Sequence, residues 1–279
     1  MNIALYISSS EKAQKAAFEI INSLKSKNCG IFVPNFTDKE FKDYCIYADY
    51  KTIRENCGII ISLGGDGTFL RSAEIAIGHD IKLFGFNLGN LGFLTEAPIE
   101  KSEPVLDRII AGDYKTKEKL SLECCITENN NIIFKGNALN EVTIHSDGMK
   151  LLNLSFSINN IYAGTYRADG LVIASPTGST AYSLSAGGPI VNPDVECLLI
   201  TALCPHTMSA RPLVISPFET VCVHEGNSQG TSITLDGHFN RKAGKDCKIT
   251  VNKAKKGLKV ISFENDFYTV VREKLNWGG

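Results

Sequence analysis

The sequence lacks a long apolar run, a strong excess of charge of either sign, and any C-x-x-C pair of cysteines. No apolar segment approaches the roughly 20 residues that span a bilayer. Residues 1–7 have neither the basic region nor the long apolar region of a signal peptide. The formal net charge of −1 gives no sign of a nucleic-acid or membrane surface held by bulk positive charge. We therefore expect a soluble, cytoplasmic protein with no nucleic-acid partner and no membrane partner.

The nine cysteines and five histidines do not have the spacing of a metal site. Cys124 and Cys125 are adjacent, so their side chains would face opposite ways on a strand. The five histidines include no H-x-x-x-H pair. We interpret the cysteines as small buried residues in a reducing compartment, and four of the histidines as structural or solvated. Only His238 has an argument for lying near a site.

Strand and helix signals alternate over residues 1–120. Residues 58–63 form a β-branched run typical of a parallel strand buried on both faces. Helices are predicted to begin after Ser8, which has capping-box spacing to Glu11, and to cover residues 38–50 and 69–77. Gly30 is placed to end the first helix. This alternation predicts an α/β N-terminal domain with a doubly wound, Rossmann-like sheet.

The pattern changes after residue 120, where short β-prone runs are separated by turn residues such as those at 129–131 and 159–160. Helical periodicity mostly disappears. We predict an all-β sandwich domain over residues 121–257. Residues 258–279 contain another strand-like and helix-like pair, and we expect them to return and pack on the first domain.

A glycine-rich turn at residues 63–68 follows the predicted buried strand and precedes a helix. In an open α/β sheet, ligands bind at the carboxyl ends of the strands. Glycines there let a phosphate approach the main chain, and the helix start presents N–H groups. The sequence is neither G-x-G-x-x-G nor a Walker A loop. We predict a phosphate-binding turn in which Gly64, Gly65 and Thr68 take part.

Asp66 is the unusual member of this turn, because a carboxylate repels a phosphate unless it has a task. It could accept a proton from an attacking hydroxyl group, or it could help to hold Mg²⁺ near the phosphates. The structural alternative is that Asp66 caps the helix through the N–H groups of Thr68 and Phe69. The spacing of the turn leaves these alternatives open.

Two further segments carry polar groups between apolar neighbours. Asn140 and Glu141 interrupt the strand-like run at 138–144. Residues 175–189 form a tract of small, hydroxyl-bearing and glycine residues with one aromatic side chain, Tyr182, that could stack on a base. Such a tract cannot build a core by itself, so we interpret it as a ligand-binding segment rather than a linker.

Taken in order, these motifs resemble those of the NAD kinase family. The matching segments are residues 64–68, 87–94, 140–141 and 169–189. The resemblance covers nearly the whole chain. The glycine-aspartate turn alone also resembles turns of lipid kinases and phosphofructokinases, whereas the 180–189 tract with Asn140 and Glu141 is more specific.

The resemblance implies a reaction and roles for individual residues. The terminal phosphoryl group of ATP, or of polyphosphate, would move to the adenosine-ribose 2′-hydroxyl of NAD to give NADP. Asp66 would be the general base and Gly67 would contact the substrate. Asn140 and Glu141 would hold the adenosine-ribose side. The remaining residues implied to line the NAD pocket are Phe93 near the adenine, Asp169 near the nicotinamide with Ala168 beside it, and Thr180, Ala181, Tyr182, Ser183, Leu184 and Ser185.

The resemblance also implies cofactors and partners. Mg²⁺ or another divalent metal would accompany the donor and be held mainly by the phosphates. NAD would bind between the two domains and near a neighbouring subunit of a homo-oligomer, a tetramer or a dimer. Arg71 is a candidate for binding donor phosphates, with Lys150, Arg167 and His238 as weaker site candidates.

Three other functions are compatible with part of this pattern. A lipid kinase of the diacylglycerol class would share the glycine-aspartate turn, but it would need an apolar acceptor pocket. A non-catalytic dinucleotide sensor would need the pocket but not Asp66. A hydride-transferring dehydrogenase would need the dinucleotide fingerprint that is missing here.

Overall fold

Buried β-branched runs form the middle of a parallel sheet in the computed structural model. The structure describes residues 1–89, 92–148, 151–225, 231–243, 247–263 and 266–278. The chain divides into two units, the first formed by Met1–Glu118 with Leu258–Gly279 and the second by Lys119–Gly257.

The first unit contains one sheet with helices. Its strands are β1 (Asn2–Ile7), β2 (Gly30–Pro34), β3 (Ile46–Ala48), β4 (Ile59–Gly64), β5 (Lys82–Asn87), β6 (Ala97–Pro98), β7 (Lys115–Lys119, which ends at the unit boundary) and β20 (Leu258–Ser262). Its helices are α1 (Glu11–Ser26), α2 (Tyr50–Asn56), α3 (Asp66–Ala76), α4 (Ser102–Ala111) and α6 (Phe267–Leu275), with short 3-10 turns at Lys39–Phe41 and Ile99–Lys101.

The order of the strands explains where this unit can bind a ligand. The sheet runs β3-β2-β1-β4-β5-β20-β7, with β6 paired to β5, and β1 pairs in parallel with both β2 and β4. The chain therefore builds outward from β1 in one direction and from β4 in the other. Such a reversal opens a crevice at the carboxyl ends of the two central strands. Gly64, the last residue of β4, lies at that edge.

Helices cover both faces of this sheet, as the buried run in β4 requires. Ile20 of α1 and Ile109 of α4 share a buried cluster with Ile61. On the other face, Phe69 of α3 packs so closely on Gly85 of β5 that a Cβ there would lie 2.7 Å from the ring. The phenylalanine thus fixes the start of α3 over the sheet.

The second unit consists almost entirely of antiparallel strands. They are β8 (Leu122–Glu128), β9 (Asn131–Ala138), β10 (Glu141–Ser146), β11 (Leu152–Ile158), β12 (Ile161–Ala168), β13 (Gly170–Ala174), β14 (Leu198–Leu203), β15 (Leu213–Ile215), β16 (Val221–Glu225), β17 (Thr231–Leu235), β18 (Phe239–Ala243) and β19 (Lys248–Lys253). A 3-10 turn (Thr177–Thr180) and the short helix α5 (Tyr182–Ser185) follow β13.

These strands form two six-stranded sheets, ordered β15-β14-β13-β10-β17-β18 and β12-β11-β16-β19-β8-β9. Alternate residues of both sheets, such as Val142 and Ile144 of β10 and Ile249 and Val251 of β19, share one buried cluster. This period-2 burial is the packing of a β-sandwich. The predicted fold class, an α/β domain followed by an all-β domain, is confirmed.

Several local predictions in the first unit were wrong. Ser10, not Ser8, caps α1, since its Oγ accepts the Ala13 N–H at 3.3 Å. Gly30 begins β2 instead of ending α1, which stops at Ser26.

The predicted helix at residues 38–50 was also wrong. That segment contains a 3-10 turn and the edge strand β3, which pairs in parallel with β2.

In the described part of the chain, no helix is both long and apolar enough to cross a membrane.

Candidate active site

The glycine-rich turn connects β4 directly to α3. Gly65 is the N-cap residue of α3 and no side chain caps this helix; the N–H groups of Thr68 and Phe69 both donate to the Gly65 carbonyl oxygen at 3.0 Å. The alternative in which Asp66 caps the helix is therefore wrong. Gly65 and Gly67 are exposed, and a Cβ at either would meet nothing within 4 Å. Their main chain is open to a ligand, as a phosphate-binding turn requires.

The Asp66 carboxylate instead binds the loop after β5. Its Oδ2 accepts the Phe93 N–H and its Oδ1 accepts the Leu94 N–H, both at 3.0 Å. Gly92 approaches so closely that a Cβ there would lie 2.0 Å from Asp66 Oδ1. The two motifs at residues 64–68 and 87–94 therefore meet at this half-buried carboxylate, while Asn90 and Leu91 of the second motif lie outside the described residues.

Two cationic side chains lie near this turn and loop. Arg71 is exposed on α3, and its positive charge opposes the rise that burial causes in the pKa of Tyr6. Lys274 of α6 lies with its Nζ 5.9 Å from the centre of the Phe93 ring, within cation–π distance. Lys274 was missed by the sequence analysis, because nothing local links α6 to Phe93.

In the second unit, the main chain that enters β10 is held by Asp236. Its Oδ2 accepts the Leu139 N–H at 2.7 Å, and its Oδ1 accepts the N–H groups of Asn140 at 2.7 Å and Glu141 at 3.1 Å. Asp236 was not among the predicted site residues, although its neighbour His238 was. The His238 ring Nδ1 lies 3.1 Å from the Asp236 carbonyl oxygen.

The 175–189 tract holds the same stretch from another side. Ser175 Oγ donates to the Leu139 carbonyl at 2.5 Å, and the Ser175 N–H donates to the Asn140 carbonyl at 2.8 Å. A Cβ on Gly178 would lie 2.2 Å from that Asn140 oxygen, so this glycine permits the close approach. The tract and Asn140 therefore form one packed structure.

Three buried side-chain oxygens in this region have no hydrogen-bond partner among the described residues: Asn140 Oδ1, Glu141 Oε2 and Thr177 Oγ1. Asn140 is 6% exposed and Glu141 is 7% exposed. Each buried polar group without a hydrogen bond destabilises the folded protein by about 1–3 kcal/mol. The presence of three such oxygens in one region therefore points to a ligand that forms hydrogen bonds with them.

Of these three residues, Glu141 lines a cavity of about 480 Å³, together with Tyr182 and Asp169. His145 also lines it, so the interpretation of that histidine as structural or solvated missed its position. Side chains alternate between the two faces of a strand, so Thr143 and His145 of β10 lie on the same face as Glu141. This two-residue spacing could have predicted from the sequence that His145 lies near Glu141.

The protonation of Glu141 differs from that of an exposed glutamate. Burial raises its pKa to about 8, and the nearby Asp236 carboxylate acts in the same direction, while a hydrogen bond from the Tyr182 main chain opposes them. The Glu141 carboxyl is therefore neutral at pH 7 and can donate a hydrogen bond as well as accept one.

Other predicted residues occupy supporting or outward positions. Ala168 and Ser183 are fully buried, and Ser183 Oγ lies 3.2 Å from Thr201 Oγ1 in the interior. Arg167 is exposed, and Thr180 Oγ1 donates to the Thr177 carbonyl at 3.4 Å. Ala181 precedes α5, which contains Leu184 and Ser185. Lys150 lies outside the described residues.

The described residues contain no group of three or more histidine, cysteine, aspartate or glutamate side chains placed to hold a metal ion. At the glycine turn, the carboxylate of Asp66 contacts the loop after β5, and both of its oxygens already accept N–H bonds. These residues fit a metal ion that is coordinated mainly by the phosphates of a ligand.

Comparison with known proteins covers both units. The family model of the ATP-NAD kinase N-terminal domain matches residues 7–114, and that of the ATP-NAD kinase C-terminal domain matches residues 139–263. The NAD kinase of Moorella thermoacetica is 36% identical over 276 residues, covering 96% of this chain and 86% of that protein. The NAD kinase of Heliobacterium modesticaldum is 40% identical over 223 residues, 79% of each chain.

Solved structures agree with these sequence matches. The crystal structure of yeast NADH kinase complexed with NADH aligns with a TM-score of 0.93 and 26% identity over 100% of this chain and 88% of that chain. An Archaeoglobus fulgidus NAD kinase in complex with ATP aligns with a TM-score of 0.76 and 23% identity over 100% of both chains, a likeness of fold. The chain therefore belongs to the ATP-NAD kinase family, whose reaction is the phosphorylation of NAD to NADP.

Proposed function

We propose that Asp66 accepts the proton of the NAD adenosine-ribose 2′-hydroxyl while that oxygen attacks the terminal phosphorus of ATP. The O–P bond to the 2′-oxygen forms, the bond from the terminal phosphorus to its bridging oxygen breaks, and ADP leaves. The position of Asp66 supports this role, since its carboxylate is fixed by two N–H bonds rather than by a helix cap. Such orientation is what general-base catalysis requires.

The glycine turn would bind the donor phosphates. Gly64, Gly65, Gly67 and Thr68 surround the open main chain at the start of α3, and the helix dipole favours an anion there. Arg71 on the same helix is proposed to add positive charge. A divalent metal such as Mg²⁺ would be held mainly by the phosphates and would neutralise part of their negative charge.

The second unit would bind NAD. The observation that carries this proposal is the pair of buried oxygens on Asn140 and Glu141 that lack a partner among the described residues. Glu141 also lines a cavity together with Asp169 and Tyr182. Ribose hydroxyl groups and the nicotinamide carboxamide offer the donors and acceptors that would satisfy them. The other residues proposed to contribute to NAD binding are Phe93, Ala168, Thr180, Ala181, Ser183, Leu184 and Ser185, with Arg167, His238 and Lys150 as secondary candidates.

The reaction is tested by incubating the full chain with NAD, ATP and Mg²⁺ and detecting the product with an NADP-specific dehydrogenase. We expect NADP to form, and we expect a chelator to abolish its formation because the donor phosphates would lose their counterion. Parallel reactions with polyphosphate and with NADH test the donor and acceptor, NADH being the ligand of the structurally similar yeast enzyme. Folded protein that makes no 2′-phosphorylated product from any of these pairs would contradict the proposal.

We further propose that the chain forms a homo-oligomer, a dimer or a tetramer, in the cytoplasm. Leu213 and Val214 on the edge strand β15 are 40% and 52% exposed, which supports association. The buried cysteines Cys45, Cys57 and Cys124 are free thiols, which supports a reducing compartment. Light scattering of the purified protein gives the subunit number, and a monomeric mass would contradict the oligomer.

A further inference from the structure

Among the described residues, Asp236 is the most buried carboxylate to which the proposed reaction gives no role. It is 9% exposed, and its φ of +49° belongs to the tight turn between β17 and β18, where Asp and Asn commonly adopt the left-handed region. Burial of a carboxylate is costly unless the group is hydrogen-bonded. The groups that bind its oxygens therefore show what this buried charge is for.

The hydrogen bonds of Asp236 all go to one short stretch of main chain. Three consecutive N–H groups, those of Leu139, Asn140 and Glu141, converge on its two oxygens. The Asp236 N–H in turn donates to the Glu141 carbonyl at 3.0 Å. Four hydrogen bonds therefore fix the backbone from which Asn140 and Glu141 project.

The same residues carry the side-chain oxygens without partners. Asn140 Oδ1 and Glu141 Oε2 are buried and unpaired among the described residues, although the main chain of both residues is fully held. Here the backbone is fixed and the side-chain oxygens stay available.

We propose that Asp236 is a positioning residue of the NAD site, which holds the main chain of residues 139–141 and thereby presents the Asn140 and Glu141 side chains to the ligand. This inference rests on the proposed function, in which those two side chains bind NAD. Asp236 itself does not touch the ligand in this account.

The charge of Asp236 adds a second effect. Burial raises the pKa of Asp236, and the three N–H bonds and His238 oppose that rise. The Glu141 carboxyl receives one main-chain hydrogen bond, from Tyr182, and burial and Asp236 raise its pKa to about 8. We assign the proton shared by this pair to Glu141, because Asp236 has more N–H donors to stabilise its charge. The titratable side chains of the described residues that face Glu141 are Asp236, with His238 acting on it, and Tyr182, His145 and Asp169 along the cavity.

The direct test is Asp236→Asn in the full chain. Asparagine tolerates the left-handed backbone, but it removes the charge and leaves one oxygen for three N–H groups. We expect the KM for NAD to rise at least about tenfold, with kcat and the KM for ATP changed less than about threefold. Glu219→Gln is the matched control, since Glu219 accepts one backbone N–H bond, from Ser216 at 2.9 Å, and does not line the cavity.

A merely structural role would lower the melting temperature and the active fraction, but it would leave the KM for NAD of the folded enzyme unchanged. That result would overturn the inference. The proposed function would survive it if Asn140→Ala still raised the KM for NAD, and it would fall with the inference if Asn140→Ala also had no effect.

A second variant covers the case in which Asp236→Asn does not fold. Asp236→Glu keeps the charge but moves the carboxylate outward by one methylene group, so that it cannot hold the N–H groups of residues 139–141 in the same place. The KM for NAD of the folded variant should again rise at least about tenfold, with kcat changed less than about threefold. A KM for NAD within about twofold of that of the wild type would overturn the inference.

Discussion

The Glu141 carboxyl group links the stability of the protein to pH. Its ordinary pKa of 4.5 is raised to about 8 in the folded protein, mainly by burial and then by Asp236. The folded state therefore holds a proton that the unfolded state has already lost above about pH 4.5. The contribution of Glu141 to the free energy of unfolding is therefore fully present below about pH 4.5, and it is lost as the pH rises to about 8.

Glu141→Gln should remove this pH dependence, because the amide resembles the neutral carboxyl and does not ionise. The stability of the variant relative to wild type should increase from about pH 5 to about pH 8, by at least about 1 kcal/mol, since each unit of pKa difference is worth about 1.4 kcal/mol. Urea unfolding at the two pH values measures this. Glu219→Gln, at a partly exposed position, should show no comparable increase. A constant difference between wild type and Glu141→Gln would contradict the raised pKa.

Residue types and local spacing were sufficient to identify Asp66, Asn140 and Glu141 as polar groups that need an explanation. They were not sufficient to assign a role to Asp236, which is separated from Leu139 by 97 residues and meets it through the pairing of β10 with β17. The position of His145 at the cavity could not be predicted from local sequence either, because it depends on which face of β10 is left uncovered by the rest of the second unit.

At the scale of elements, the loop between β5 and β6 depends on a glycine at its contact with α3. Gly92→Ala would place a Cβ 2.0 Å from Asp66 Oδ1, so the loop or the carboxylate must move. We expect kcat to fall by about tenfold or more, because a displacement of about 1 Å of a catalytic group is costly. Steady-state kinetics of the purified variant measures this effect.

Gly89→Ala is the control in the same loop. A Cβ there would meet nothing within 4 Å, so the variant should retain a kcat close to that of the wild type. Equal activity of Gly92→Ala and Gly89→Ala would show that the contact between the loop and Asp66 does not matter for turnover.

Sequence patterns predicted β4 from its continuous run of β-branched residues, and they predicted a helix at residues 69–77, where α3 covers Asp66–Ala76. The segment at residues 38–50 failed because its polar and aromatic residues fit a helical pattern, whereas pairing with β2 draws Ile46–Ala48 into an edge strand. Tertiary pairing of this kind is not visible in a local window. Three consecutive serines likewise left the cap of α1 ambiguous from sequence.

At the scale of the whole molecule, the first unit is assembled from both ends of the chain. β20 lies between β5 and β7 in the sheet and pairs in parallel with β5. Glu96 accepts hydrogen bonds from Ser262 Oγ at 2.9 Å and from the Phe263 N–H at 2.7 Å, which attaches the returning segment to the loop after β5. The family and its fold were predicted from motifs in both halves, and they are confirmed.

Proton transfer is assigned to Asp66, and most of the proposed NAD contacts are assigned to residues of the second unit, so turnover and NAD binding should be separable by mutation. Asp66→Asn keeps the size of the side chain but removes the proton acceptor. It also weakens the contact with Phe93 and Leu94, and Gly92→Ala provides the comparison for that disturbance.

The role of Asp66 is therefore tested by measuring kcat together with the NAD dissociation constant of Asp66→Asn. We predict that kcat falls by at least about 10²-fold, more than in Gly92→Ala, while NAD binding measured by calorimetry changes less than about threefold. A kcat close to that of the wild type would show that Asp66 is not the general base.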